Sequence, residues 1–293
     1  MVKKLISVIL TAAVIMFVPE GTLNGTAASA AAVNTESVKI YALYEWAEEF
    51  ISIPSSYPTS YQLTVSNASD AAYRVVSGNA VNVSSTGLVT PRYTTWYWNG
   101  GFGSTWPTGQ PGETVETSPN FGTSVIEVTA GGQKFEVTAE LADYADAYTD
   151  DRIDEYLAAN INANSSVYDK VDAAAKYAAS FNYSAHYSSA AGMVVSGGGD
   201  CWASTNLIIR MCGKMGIKAW ARNGKKDPGA GSGHMNAMAY ADGKYYELEA
   251  GFTGNAPRPY SVKERESLFS YYSLGNIFKQ EPSQNQKYYC SHQ

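Results

Sequence analysis

His234-Met-Asn-Ala-Met-Ala-Tyr-Ala-Asp-Gly-Lys-Tyr-Tyr-Glu-Leu-Glu-Ala-Gly251 reads as a β-hairpin. Asp242-Gly243 is the two-residue signal of a type I′ turn, whose central positions both need positive φ. With that turn, Ala241 faces Lys244, Asn236 faces Glu249 and His234 faces Gly251. Side chains alternate between the faces of a strand. One face then carries Met235, Ala237, Ala239, Tyr246, Leu248 and Ala250, all suited to a core. The other carries His234, Asn236, Met238, Tyr240, Tyr245, Glu247 and Glu249 and reads as a working face. Glu249 falls diagonal to His234, within reach of a long carboxylate side chain. A slip of one residue would turn Glu249 to the wrong face.

Upstream, Gly197-Gly198-Gly199-Asp200-Cys201 runs into Trp202-Ala-Ser-Thr-Asn-Leu-Ile-Ile-Arg-Met-Cys212 and then Gly213. Asp200 is a good N-cap and Gly213 a good stop, so a helix is predicted from about Cys201 to Cys212. Its first turn carries a thiol, where unpaired N–H groups and the positive end of the dipole favour thiolate. The same N–H groups suit an oxyanion. The three glycines read as an uncrowded approach. They are not a phosphate loop, because no Gly-Lys-Ser/Thr follows. Cys212 lies three turns further on, roughly 16 Å away at 1.5 Å per residue. A disulfide needs Cα atoms within about 7 Å, which excludes a 201–212 bond. Cys212 reads as core, with Cys290 as its candidate partner. A thiol nucleophile wants a base, and the base an orienting group. The 3 histidines are His186, His234 and His292. His292 sits in the terminal tail, and His186 is a rival to His234.

The rest of the chain divides in two. Tyr61–Val65, Ala80–Val83, Val125–Thr129 and Lys134–Thr138 alternate, with Gly131-Gly132 as a hairpin turn between the last two. Residues 33–141 therefore read as an all-β sandwich. The segment 92–120 carries Tyr93, Trp96, Tyr97, Trp98, Phe102 and Trp106 and is long for a loop. Its rings either cover the sandwich or grip sugar or peptide. The polar stretch 142–150 reads as a boundary to a second domain, 145–293. There, Asp150, Asp151, Asp154 and Glu155 read as an acidic helix start rather than a calcium loop. Val167, Val171, Ala174, Ala178 and Phe181 define one apolar helix face.

Lys3, Lys4, the apolar run Leu5–Val18 and Ala28-Ser29-Ala30 read as a signal peptide over 1–30. This implies a secreted protein without a stable membrane anchor, since the run is shorter than the 20 or so apolar residues of a span. Net charge is −6 with no long basic run, which argues against nucleic-acid binding. No zinc-ligand spacing is present, so neither metal nor cofactor is expected.

Two resemblances follow. Asn82-Val-Ser-Ser-Thr-Gly-Leu-Val-Thr90, with Gly122-Thr-Ser-Val-Ile-Glu-Val-Thr129, resembles the bacterial immunoglobulin-like group 2 module. That family joins the two segments by a few residues, whereas here 92–120 intervenes. Gly199-Asp-Cys201 at a helix start, Gly216-Ile-Lys-Ala219, His234 and Asp242-Gly-Lys-Tyr-Tyr-Glu-Leu-Glu249 are similar to the transglutaminase-like superfamily, as is Phe181-Asn-Tyr183. The similarity spans roughly residues 165–255. It implies a papain-like α+β domain with Cys201 as nucleophile, His234 as base and Glu249 as orienting acid. The family's acid is usually Asp, and Glu249 is one methylene longer. The residues after the His are usually small then aromatic, and here they are Met235 and Asn236. Asn236 is a second orienting candidate. Trp202, Trp96 and Trp98 are candidate substrate contacts. The implied activity is thiol acyl transfer on a protein or peptide substrate, cell-wall associated or free. The bacterial members are mostly hydrolytic, which points to a protease or amidase before a cross-linking enzyme. The alternative is a non-catalytic adhesin or carbohydrate-binding protein using 92–120.

Overall fold

The computed structural model describes residues 29–43, 52–96, 116–223 and 234–265. Trp98, Cys290, His292 and all of the expected leader except Ser29 and Ala30 lie outside them. Within them the chain is a mixed α and β protein, with strands in several sheets and four helices. No described helix is long and apolar enough to cross a membrane.

Eleven strands come first: β1 (Ala32–Val33), β2 (Ser37–Ala42), β3 (Tyr61–Gln62), β4 (Val65–Ser66), β5 (Ala72–Ser77), β6 (Val81–Val83), β7 (Leu88–Pro91), β8 (Tyr93–Trp96), β9 (Glu116–Pro119), β10 (Gly122–Ala130) and β11 (Gln133–Asp143). One sheet has the order β2-β11-β10-β5 and another β3-β7-β6. Both feed one apolar cluster that includes Ile40, Leu63, Val81, Val89, Ile126, Val128, Val137 and Leu141. The β10–β11 hairpin turns on Gly131 (φ 56°) and Gly132 (φ 74°), with Ala130 facing Gln133, as its sequence predicts. Two features depart from the sequence reading. The strand β2 runs parallel to β11. The single strand expected over 61–65 is broken in two, β3 pairing with β7 and β4 with β1. Leu63, fully buried at the break, turns into the cluster while its N–H donates to Gly87 O (2.9 Å). The base of the 92–120 segment is itself a ribbon, with β8 antiparallel to β9.

The helices are α1 (Tyr144–Asn160), α2 (Val167–Ala179), α3 (Ala190–Ser196) and α4 (Cys201–Lys214). Between and after them come β12 (Asn182–Tyr183), β13 (Gly198–Gly199), β14 (Lys218–Asn223), β15 (Met235–Ala241), β16 (Lys244–Glu249) and β17 (Ser261–Arg265). The expected boundary at 142–150 is a packed junction, because β11 runs straight into α1. Asp143 caps the helix, its Oδ1 accepting from Ala145 N (2.9 Å). Tyr144 and Ala145 are buried with Leu43 and Ala191, against Tyr41, Tyr57, Phe121 and Tyr148. The acidic run is also placed differently. Asp150, Asp151, Asp154 and Glu155 lie along α1 beyond its first turn. Asp150 and Asp154 meet α4 instead: Arg210 pairs with Asp146 and Asp150 (both 2.9 Å), and Lys214 with Asp150 (3.3 Å) and Asp154 (2.8 Å). These acids serve cross-helix pairing more than the dipole.

The helix α4 is the core rod of the second half. Leu207, Ile208, Met211 and Cys212 pack with Val171, Ala174 and Ala178 of α2, Met193 of α3, and Ala237, Ala239, Tyr246 and Leu248 of the sheet. That sheet has the order β14-β15-β16-β17, each neighbour antiparallel. The apolar face expected of α2 is the one buried, with Val167 and Phe181 at its margins.

The β6–β7 turn supplies a direct test. Gly87 has φ +86°, and a Cβ there would lie 2.7 Å from Leu63 O and 2.8 Å from Tyr73 Cζ. Gly87→Ala is expected to destabilise the protein by about 2 kcal/mol, from strain at positive φ plus the clash. In urea the midpoint should fall with the m-value unchanged. A midpoint equal to wild type would contradict this packing.

Candidate active site

Three elements end together. The helix α4 begins at Asp200, whose Oδ1 accepts from Ala203 N (2.9 Å) and whose N–H donates to Tyr187 O (2.9 Å). Asp200 is 1% exposed, so the cap is part of the interior. The glycines before it do not open an approach. Gly197 ends α3 in the left-handed region (φ 81°), and Gly198 and Gly199 are buried in β13, pairing with β12. A Cβ on Gly199 would stand 2.6 Å from Ala203 Cβ and 2.8 Å from Met193 Cβ. Gly199 is packed against α3 and the first turn of α4, Gly198 lies against Asn182 and Ser184, and Gly197 takes the left-handed turn that ends α3.

The hairpin has the register read from its turn: Ala241 faces Lys244 and Ala237 faces Leu248, with Asp242 at φ 51° and Gly243 at φ 77°. His234 stands one residue before β15 and Glu249 ends β16. The His234 Nε2 meets Glu249 Oε2 at 2.6 Å. Asn236 Nδ2 donates to the same oxygen (3.4 Å), so Asn236 braces the carboxylate. On the other side stands the Cys201 side chain, which packs against Met235 and acts to raise the His234 pKa.

Electrostatics follow from this placement. Burial acts to lower the His234 pKa, but the hydrogen bonds to Cys201 and Glu249 and their negative charge outweigh it, raising it to about 9. The direction of the shift favours the protonated ring. Cys212 is the contrast. It is a free thiol, fully buried, and burial alone pushes its pKa up to about 12. Such a cysteine is inert. Its candidate partner Cys290 lies outside the described residues.

The face read as a working face is closed near this end of the hairpin. His234 is 6% exposed, and Asn236, Met238 and Glu247 are buried as well. Tyr240 is the residue of that set left exposed. Cys201 keeps 8% of its surface and packs with Ala221 and Met235, with Trp202 half-buried against the same cluster. Phe252 lies half-exposed with its ring 4.5 Å from that of His234. The rival His186 is exposed, in the segment between β12 and α3. Trp96 ends β8, and its side chain, like Trp98, lies outside the described residues.

Sequence reasoning missed Arg258. It is 2% exposed, in the segment after Glu249, where a lone Arg between prolines reads as solvated. Its Nη1 donates to Gly251 O (2.8 Å), and its Nη2 to Ala178 O (2.9 Å) and Ser204 Oγ (2.7 Å). Burial lowers its pKa, opposed by the charges of Glu249, Cys201, Tyr183 and Asp200. No periodic pattern marks such a residue, because two of its partners, Ala178 O and Ser204 Oγ, are remote in sequence.

No protein-family model, curated protein or solved structure matches the chain.

Two measurements test the site. A group whose folded pKa is raised stabilises fully below its unfolded value and loses that stabilisation as pH rises through the folded value. For His234 these are 6.5 and about 9. The Tm should fall across that window, with a smaller fall in His234→Ala. Equal slopes in the two proteins would contradict the pairing. Separately, iodoacetamide should label Cys201 in the native protein and Cys212 only in denaturant, read by peptide mass spectrometry. Native labelling of Cys212 would contradict its burial.

Proposed function

We propose that this chain is a thiol-dependent acyl-transfer enzyme acting on peptide or carboxamide bonds through Cys201, His234 and Glu249. The observation that carries this is one imidazole bonded to a carboxylate at 2.6 Å, with a thiol at a helix N-terminus acting on the same ring. That is the nucleophile, base and orienter set of covalent catalysis. The sequence similarity to the transglutaminase-like superfamily supports the same roles, with a papain-like domain following an immunoglobulin-like sandwich.

In this mechanism the Cys201 thiolate attacks the carbonyl carbon, and the carbonyl π electrons move to oxygen. The Cys201 N–H at the start of α4 helps to hold that oxyanion. As the tetrahedral adduct collapses, the C–N bond breaks and the leaving amine takes a proton from the His234 imidazolium. A thioester remains. Water then attacks it, neutral His234 accepting the proton, and the carboxylic acid leaves as the thiolate reforms. A lysine amine in place of water would give a cross-link. Glu249 fixes the ring and balances its charge, and Asn236 holds Glu249. The low exposure of Cys201 and His234 favours a substrate that presents its carbonyl on a slender, extended segment. The charged start and apolar run at Lys3–Val18 support export as a secreted enzyme.

The test is incubation with a mixed peptide library followed by mass spectrometry, where cleavage, deamidation and cross-linking each change mass differently. Wild type is expected to produce one of these, and Cys201→Ala none, with its Tm within a few degrees of wild type. kcat/KM should decline as pH rises through about 9, where the imidazolium loses its proton. In Glu249→Gln that limb should move down towards the ordinary histidine range. Turnover retained by Cys201→Ala would end this reading.

A further inference from the structure

Arg258 joins the two parts of the site from behind. Its Nη1 bond to Gly251 O fixes the chain two residues beyond Glu249. Its Nη2 reaches Ser204 Oγ, in the first turn of α4, and that hydroxyl donates in turn to Asp200 O (2.9 Å), the residue before Cys201. The same Nη2 bonds Ala178 O at the end of α2, and the Arg258 N–H donates to Ala179 O (2.7 Å). Its Nε is buried without a hydrogen-bond partner. A guanidinium this deep carries a large desolvation penalty, so it stands only where charge or geometry requires it. The groups of opposite charge or partial charge facing it are Glu249 of β16, Cys201 and Asp200 of α4, and Tyr183 of β12. In the reactive state, Cys201 and Glu249 are both anions and His234 is the cation between them. One negative charge is then unmatched, and among the described residues Arg258 is the buried cation whose charge couples to both anions.

We infer that Arg258 is a positioning residue for the Cys201–His234–Glu249 site: it clamps the end of the acid strand to the first turn of the thiol helix and offsets the second negative charge of the reactive state. This rests on the reading of the site given above. A Met at this position keeps the bulk of the side chain but loses charge and fork, whereas Lys keeps the charge and loses the fork.

The experiment is the pH profile, from 5 to about 10, of Cys201 alkylation by iodoacetamide in the full chain, read at the Cys201 peptide. Arg258→Met is expected to raise the inflection by about one pH unit, making alkylation about tenfold slower on the acid limb. Arg258→Lys should recover most of that rate although both variants lower the Tm. A profile in Arg258→Met that overlays wild type, with only the Tm changed, overturns the inference. Should Arg258→Met not fold, Ser204→Ala removes one bond to the guanidinium and leaves its charge in place. It is expected to slow the acid limb about threefold, and a profile identical to wild type again overturns the inference. A wild-type inflection that His234→Ala leaves unmoved overturns the site reading and this inference with it. An inflection that depends on His234 but not on Arg258 overturns this inference alone.

Discussion

One imidazole sets the terms for the second half of this protein. For His234 to bond Glu249 while Cys201 acts on the same ring, a hairpin and a helix must end at one place. Each end is held by its own device. The hairpin has a two-residue turn that admits one register, which brings position 249 across from 236 and diagonal to 234. The helix has a buried aspartate cap and a glycine strand packed against it. A shift of the hairpin register by one residue separates the acid from the ring, because strand periodicity would carry Glu249 to the opposite face.

Energetically the arrangement depends on charge balance in a poorly hydrated place. An isolated carboxylate or imidazolium at this depth would neutralise itself, as buried ions generally do. Here each has an opposite partner, and a guanidinium lies behind them within hydrogen bonds of both supporting elements. The raised pKa of His234 is one expression of that balance, whereas burial lowers the pKa of Arg258 against the opposing pull of its neighbours' charges. The price of burying Arg258 is offset by three carbonyl or hydroxyl acceptors that no apolar residue would satisfy.

The scaffold around the site is built from small residues and long-range pairs. The buried face of α2 is largely alanine, which lets α4 approach it closely. The acids of α1 reach Arg210 and Lys214 on α4, so the far end of the thiol helix is tied down as firmly as its start. Tyrosines close the junction with the β region: Tyr57 packs edge-on to Tyr41 and Tyr144. At the start of α1, Tyr144 and Ala145 face into that cluster while Asp143 caps the helix.

Much of this was legible in the residues themselves. Turn chemistry, capping and alternation are local properties, so Asp242-Gly243, Gly131-Gly132, Asp200 and the face of α2 could be read correctly from short windows of sequence. The His234–Glu249 diagonal followed from counting residues back from a turn. What could not be read there depends on contacts between segments far apart in the chain. The parallel pairing of β2 with β11 and the division of 61–65 between two sheets arise from a core to which both sheets contribute. The closure of the working face, the role of the glycines as packing surface and the free, buried thiol of Cys212 follow from which elements lie against them. Arg258 is the clearest case. Its sequence neighbourhood is Pro-rich and exposed in character, and only the meeting of α2, α4 and the end of β16 supplies the acceptors that make a buried guanidinium stable. Local covalent and hydrogen-bond geometry is written in neighbouring residues, whereas burial and charge compensation exist only once distant ones have been brought together.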